Sequence, residues 1–416
     1  MVQTMHSVSN TMEQIADTEN LKRAFVNAAK GKTNRPDVKR ILEDIDRHVA
    51  ILQEQLKNET FQPPKHERVM INDGILLKKR NIIKPFYKYE QVVHHAIIQV
   101  LAPQDDAVER FGHTKCLNRG FYEYSCGSIP GRGPDYGAKY IHRALTTDEY
   151  NTKYFLQMDI HHFFDTIPHR ILKEKLSERI KDEATLRLIY KIIDNYRSDE
   201  MTDEPRGLPI GFYTSPWLAN FSLTPVDHYI KQSILEDVRA HKLDRFKNKM
   251  ARKGIRKYKL PTYPAGVPYY VRYVDDMVVF SGNKKELFIV QQRIEERLKE
   301  LGLSMKPNWK IRRLEYTDKD GKVRGCRLDY LGRVFTRDCI FLRKKILIRS
   351  TRKARRIAKK DSITWHDATA MLSRTGYFTN TDTYTVYQER VKPYVNKKML
   401  RKIVSRHSKK ENRNVN

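Results

Sequence analysis

The stretch YVRYVDDMVVF, residues 269–279, sets two adjacent carboxylates, Asp275 and Asp276, between two runs of aromatic and β-branched residues. Tyr, Val and Phe at this density specify strands, and two such runs split by a short polar step specify a hairpin. An unpaired carboxylate inside a buried strand is costly. The acids therefore belong at the turn, where both strands stay buried and the charges reach an open edge. An ordinary Asp-rich turn meets that requirement as well as a functional one does.

A second segment adds weight to the functional choice. KYFLQMDI (153–160) ends an apolar strand on Asp159, flanked by Met158 and Ile160. A carboxylate there also needs a partner or a cation. Two strands that each bring an acid to one sheet edge can hold two Mg²⁺ ions, hard cations that take oxygen ligands. Two such ions stabilise the attacking and the leaving oxygen of an in-line phosphoryl displacement, the chemistry of nucleotide addition.

Charge points to the same class of substrate. The 416 residues hold 80 Lys and Arg against 50 Asp and Glu, a net charge of +30 that favours a polyanionic partner. Aromatic side chains, 23 Tyr and 16 Phe among the basic residues, suit single-stranded nucleic acid, whose bases stack on flat faces. Two segments concentrate the charge. Residues 242–259 carry nine basic residues and one acid, either a solvated insertion or a nucleic-acid contact. Residues 343–360 carry ten and none, with Ile346, Leu347, Ala354 and Ala358 as an apolar stripe. This second segment reads as a basic amphipathic helix on phosphate, with Arg349, Arg352 and Arg356 as contacts.

Other segments set the frame. Val38, Ile41, Ile45, Val49, Leu52 and Leu56 recur at helical spacing and predict one helix over 37–57. Asn72-Asp73-Gly74 marks a hairpin, 88–101 a helix, and SCGSIPGRGPDYG (125–137) a shaped loop. Helices are expected near 169–181, 184–195 and 284–301. The length suggests two or three subdomains. Cys116, Cys126, Cys326 and Cys339 form no CxxC pair, which argues against zinc or disulfides and for a reducing cytoplasm. Neither a signal peptide nor an 18-residue apolar run is present, so a soluble protein with no membrane partner is expected.

MDIHHFFDTIPH, GLPIGFYTSPWLAN, RYVDDMVVF, LGLSMKPNWKI and LDYLGRVF occur in the order of reverse-transcriptase palm motifs, and KKRNIIKP and SCGSIPGRG look like the two preceding finger motifs. Over roughly 75–335 the chain resembles bacterial retroelement enzymes: group II intron, diversity-generating and defence-associated reverse transcriptases. The resemblance implies an α+β right hand of fingers, palm (antiparallel sheet plus helices) and helical basic thumb. Its divisions would be an N-terminal helical extension (1–60), fingers (61–150), palm (151–340, with a basic insertion near 242–268) and thumb with basic tail (341–416).

It also implies roles. Asp159 and Asp275 would ligate two Mg²⁺ (or Mn²⁺) ions, with Asp276 in support and Ile160 beside them in the metal site. Phe164 would exclude a ribose 2′-hydroxyl, its other reading being a plain core residue. Arg80 would hold the incoming triphosphate; Arg132 would help or hold template backbone; Ile210, Gly211 and Tyr273 would complete the dNTP site. Lys306 or Lys310 would protonate pyrophosphate, Lys310 being preferred. Family members often carry Gln at Ile210, and diversity-generating enzymes follow with Ser-Gln where this chain has Ser215-Pro216, as in intron enzymes.

The expected function is DNA synthesis from dNTPs on an RNA template, extending a DNA primer or product, with a dedicated structured noncoding RNA and a role in antiphage defence. Alternatives are a diversity-generating or group II intron-like element, a template-independent or protein-primed polymerase, and a non-catalytic RNA-binding scaffold. In the protein-primed case a tyrosine of YFTNTDTYTVY would supply the hydroxyl. The tail SRHSKKENRNVN reads as disordered, and neither an endonuclease nor an RNase H domain is expected. Oligomeric state is left open.

Overall fold

The structure, a computed structural model, describes residues 8–75, 77–104, 115–199 and 203–413. The hairpin expected around Asn72-Asp73-Gly74 forms: β1 (Arg68–Asp73) pairs antiparallel with β2 (Lys78–Ile83). Gly74 takes a positive φ of 65°, which its missing Cβ allows at little cost.

The central sheet has the order β4-β5-β3-β6, all antiparallel, from β3 (Tyr154–Asp159), β4 (Tyr269–Tyr273), β5 (Asp276–Ser281) and β6 (Lys310–Arg313). Strand alternation sends side chains to two cores. Leu156, Met158, Met277 and Val279 join the larger core, with Leu218 and Val226 of helix Ser215–Gln232 and Leu287 and Ile294 of helix Lys284–Glu300. Phe155, Val278 and Phe280 face the other way, onto helix Pro134–Thr147 and a small sheet. That part follows a short β7–β8 pair (Tyr316–Thr317, Val323–Arg324) and consists of β9 (Leu328–Tyr330), β10 (Arg333–Phe335) and β11 (Ile340–Leu342).

Four expectations need correction. The helix over 37–57 is two, Pro36–Glu43 and Ile45–Lys57, parted at Asp44 (φ −130°, ψ 50°). Val38 and Ile41 bury on one, Val49, Leu52 and Leu56 on the other, so the apolar spacing runs on across a break it cannot register. The loop over 125–137 stops at Gly133, because Pro134 opens a helix whose first turn has no use for a proline N–H. Gly137 is a packing residue inside that helix: a Cβ there would lie 3.0 Å from Leu331 Cδ1 and 3.1 Å from Cys126 Sγ.

The basic helix forms at Lys344–Ala358, but its buried line is Ile346, Ser350, Ala354 and Ile357, with Ala358 exposed. It packs with helices Trp365–Thr379 and Lys397–Arg413 in a separate C-terminal core that includes Met371, Phe378 and Leu400. The tail expected to be disordered is helical through Arg413, because Leu400, Ile403 and Val404 anchor its helix on that core. Among the described residues no helix is long and apolar enough to cross a membrane.

Candidate active site

The register of the central sheet brings the acids together. Asp159, last in β3, lies directly across from Asp276, first in β5, which also faces Tyr273 at the end of β4. Asp275 occupies the turn between β4 and β5, next to Val274 at φ 59°. A β-branched residue in the left-handed region is strained by roughly 1–3 kcal/mol and persists only where surroundings hold it.

The holding group is Arg272, 1% exposed. Its Nη1 donates to the Val274 carbonyl at 2.7 Å and to Asn220 Oδ1 at 3.1 Å. Its Nε and Nη2 grip both carboxylate oxygens of buried Asp227 at 2.8 and 2.6 Å, and Tyr270 donates its hydroxyl to the same Asp227. Asn220 and Asp227 both stand on helix Ser215–Gln232, and Asn220 also donates to the Gly127 carbonyl at 2.9 Å. The 124–127 segment runs along β4, with Cys126 N–H donating to Arg272 O and Arg272 N–H to Tyr124 O. A Cβ on Gly127 would come within 2.8 Å of Val274 N, so only glycine lets this segment approach. Strand, helix and loop thus converge on one turn. Sequence reading missed Arg272, although a cation in a buried strand is as anomalous as the acids beside it.

The three acids crowd one another. Burial first, then Asp159 through a hydrogen bond and its charge, then the charge of Asp276, push the Asp275 carboxyl up to about 7. Asp159 Oδ1 is buried with no hydrogen-bond partner, while Oδ2 pairs with the Lys306 ammonium. Ile160 is fully buried and bridges to Met305. The bridge is bonded through Lys306 N–H to Asp159 O and His161 N–H to Ser304 O, so the Ile160 carbonyl takes no part in it. Among the described residues no three His, Cys, Asp or Glu side chains are gathered closely enough to enclose an ion by themselves. The donor set still fits Mg²⁺, which is commonly held by one or two carboxylates together with waters and substrate phosphates. An orphaned carboxylate oxygen beside a carboxyl that keeps its proton to near neutrality is the arrangement a hard cation relieves.

Asp159 and Asp276 open onto a cavity of about 240 Å³ lined also by Gln157, Asn308, Lys310 and Tyr330. Lys310 begins β6, opposite Gln157. Both lysines therefore stand near the acids, Lys306 in direct contact and Lys310 across the cavity. Tyr273 is half-buried; burial first, then Tyr377, push its hydroxyl up, against the pull of Arg80. That pull brings Arg80, exposed on β2, within electrostatic reach of the turn.

Phe164, Ile210 and Gly211 line a different cavity, about 380 Å³, with His94, His95 and Tyr213. Gly211 (φ 124°) is fixed by contact: Ile83 N–H donates to Ile210 O at 2.8 Å, and a Cβ on Gly211 would collide with the Ile83 carbonyl. This joins the β1–β2 hairpin to the cavity. His94, buried, bonds Thr214 Oγ1 through Nδ1 at 2.9 Å and leaves Nε2 without a partner. Burial pushes His94 down to about 3. Its neighbour His95 stacks on Tyr213 with ring centroids 4.0 Å apart. Neither histidine stood out in the sequence, where each occupies an unremarked helical position.

The remaining candidates lie elsewhere. Arg132 is half-buried and donates to the Tyr122 carbonyl at 2.9 Å. Arg349 donates to the Ile75 carbonyl at 2.7 Å, tying the basic helix to the β1–β2 turn, whereas Arg352 and Arg356 are exposed.

Residues 89–331 match the family model described as Reverse transcriptase (RNA-dependent DNA polymerase). The chain belongs to the reverse transcriptase family. The matched span holds all three acids, Arg132, Phe164, Ile210, Gly211, Tyr273, Lys306 and Lys310, and leaves Arg80 and the basic helix outside. Among curated proteins the chain is similar to YkfC of Escherichia coli K12, 25% identical over 253 residues (59% of this chain, 61% of YkfC). It is also similar to the group II intron-encoded protein LtrA of Lactococcus lactis subsp. cremoris, 25% identical over 282 residues (59% of this chain, 43% of LtrA). The chain spans between 10% and 61% of the length of the first curated relatives it matches. Among solved structures, apo telomerase from Candida tropicalis aligns with 75% of this chain and 51% of its own, at 12% identity and a TM-score of 0.40. The fold is the α+β right hand of the reverse transcriptase family, and the central sheet is its palm.

Proposed function

We propose that the chain is an RNA-directed DNA polymerase that extends a DNA primer with dNTPs on an RNA template. The observation that carries this is the β3–β5 register, which sets Asp159 opposite Asp276 with Asp275 in the adjoining turn. In this reading Asp159 and Asp275 hold two Mg²⁺ or Mn²⁺ ions, with Asp276 and the Ile160 carbonyl completing the donors. When bound, such ions lower the pKa of the attacking hydroxyl and neutralise charge on the leaving pyrophosphate. The chain's own groups do the rest. Arg80 holds the triphosphate; Phe164, Ile210, Gly211 and Tyr273 shape the sugar and base site. Arg132 steadies the loop beside it. Lys306 or Lys310 supplies the proton to pyrophosphate, and the contact with Asp159 supports Lys306. Arg349, Arg352 and Arg356 contact the duplex from the thumb. The division into helical extension, fingers, palm and thumb at residues 60, 150 and 340 is supported at its last boundary by the separate core that begins at Leu342.

The test is dNTP incorporation on a defined RNA template with DNA primer. Mg²⁺-dependent, template-directed extension is expected, reduced at least about a thousandfold in Asp275→Asn. Products formed equally with any RNA or none would favour the template-independent alternative, and a fully active Asp275→Asn would overturn the reading. As its template we propose a dedicated structured noncoding RNA, and as its role antiphage defence, supported by the departure at Ser215-Pro216 from diversity-generating enzymes. A role with intron-type RNA is favoured by the similarity to LtrA. RNA that copurifies with the protein from its native host separates these: a lone noncoding RNA supports defence, an intron transcript the second reading.

A further inference from the structure

Helix Glu236–Arg252, which leaves the palm between helix Ser215–Gln232 and β4, buries none of its residues. A surface helix of a globular protein ordinarily packs one face. This one is held at its root. Arg239 donates to Glu286 at 3.0 Å, Lys242 pairs with the same buried carboxylate, and Glu286 also accepts from Ser281. The segment returns beside its departure, with Val267 N–H donating to Ile230 O and the Lys231 ammonium to the Val267 and Pro268 carbonyls. A projecting arm lies between these clamps.

Its outer part is purely cationic. Arg245–Lys259 holds eight Lys and Arg and no acid. Among the described residues only Lys247 of these eight has a carboxylate within 4.0 Å, Asp244 at 3.8 Å, and all eight are exposed. Arg245, Lys249 and Arg252 recur at four and three residues, which aligns them on one face. With Phe246 and Tyr263 they line an open groove of about 670 Å³. Phe246 meets Tyr258 edge-to-face at 5.7 Å, and Tyr258 keeps 39% of its surface exposed. The groove is also apart from the acids. The root contact at Ser281 lies five residues along β5 from Asp276, roughly 16 Å at strand rise.

We propose that this arm is a second RNA site, separate from the catalytic cleft, which takes the phosphates of an RNA stem on Arg245, Lys249, Arg252 and Lys253 and stacks an unpaired loop base on Tyr258. Unpaired cations on one face match the phosphate lattice, and an exposed aromatic beside them suits a splayed base rather than a blunt duplex. The choice of RNA over other polyanions rests on the function proposed above; the groove and its charge do not.

The test measures binding of a stem-loop RNA to the full chain across a salt series. The quadruple variant Arg245→Gln, Lys249→Gln, Arg252→Gln, Lys253→Gln is compared with the parent and with Tyr258→Ala. Because the helix buries nothing, unchanged thermal midpoints are expected. The quadruple variant should bind at least about tenfold more weakly and lower the salt slope by about three, with extension of a short primer–template within twofold of the parent. Tyr258→Ala should lose roughly fivefold or more on the stem-loop and nothing on a blunt RNA duplex. Stem-loop affinity and slope unchanged in the quadruple variant overturn the proposal, as does an equal loss of short-template extension. Loss confined to phosphatidylserine vesicles assigns the arm to a membrane surface and also overturns it. A parent that binds the stem-loop through the arm yet extends no primer removes the polymerase reading and leaves the RNA site standing.

Discussion

Arg272 ties the acid turn to the rest of the palm through four hydrogen bonds of its side chain and two of its backbone, and Lys cannot replace it. An ammonium lacks the planar fork that spans Asp227, so Arg272→Lys would leave part of a buried carboxylate unmet. Removing one partner of such a pair costs about 3–5 kcal/mol. Arg272→Lys is expected to lower the urea midpoint and to reduce kcat more than KM for dNTP, because the turn that carries Asp275 loses its brace. A variant with normal kcat would show that Val274 and Asp275 hold position without it. His94 makes a different claim. Its folded form stays neutral to about pH 3 while the unfolded chain takes a proton near 6.5. Stability from this group is therefore complete above about 6.5 and falls as pH drops, by at most about 1.4 kcal/mol per unit. Urea midpoints at pH 7 and pH 5 should differ more in the parent than in His94→Asn; equal drops would contradict burial of a neutral imidazole. The acids were legible because charge in an apolar strand is an energetic contradiction visible in sequence. Arg272 shows the same contradiction, but its partner Asp227 lies 45 residues away on a helix, and no local spacing reveals that pairing.

At the scale of elements, the β1–β2 hairpin reaches the palm through Ile83 and the Ile210–Gly211 backbone. Gly211→Ala combines a φ of 124° with a collision against the Ile83 carbonyl, so the hairpin must shift. KM for dNTP is expected to rise about tenfold or more while binding of primer–template holds; an unchanged KM would separate the hairpin from the nucleotide site. Element identity was readable wherever periodicity was strong, as in the hairpin, the palm strands and the basic helix. Boundaries were not. Asp44 interrupts a helix without disturbing apolar spacing, and Gly137 looks like loop because its packing partners, Leu331 and Cys126, come from distant segments. The tail SRHSKKENRNVN was expected to be disordered, yet Leu400, Ile403 and Val404 just before it dock a helix that runs to Arg413, the last residue described.

Across the whole molecule, three carboxylates meet at one sheet edge of a chain whose net charge is +30, with dense runs of Lys and Arg on the thumb helix and the projecting arm. The right-hand fold was legible from motif order, since each motif is short but their sequence along the chain is specific. The template and the biological role were not, because they lie in molecules the chain contacts rather than in its own packing. A net charge of +30 implies that primer–template affinity falls steeply between 50 and 200 mM salt, on the order of a hundredfold or more; a flat salt profile would deny the phosphate contacts. The most direct measurement is single-nucleotide extension of a DNA primer on an RNA template in Mg²⁺, with parent and Asp275→Asn side by side. Template-matched addition by the parent and none above background by Asp275→Asn is the expected result. Equal addition by both, or none by either with Mg²⁺ and Mn²⁺ supplied, would contradict a catalytic role for the three acids.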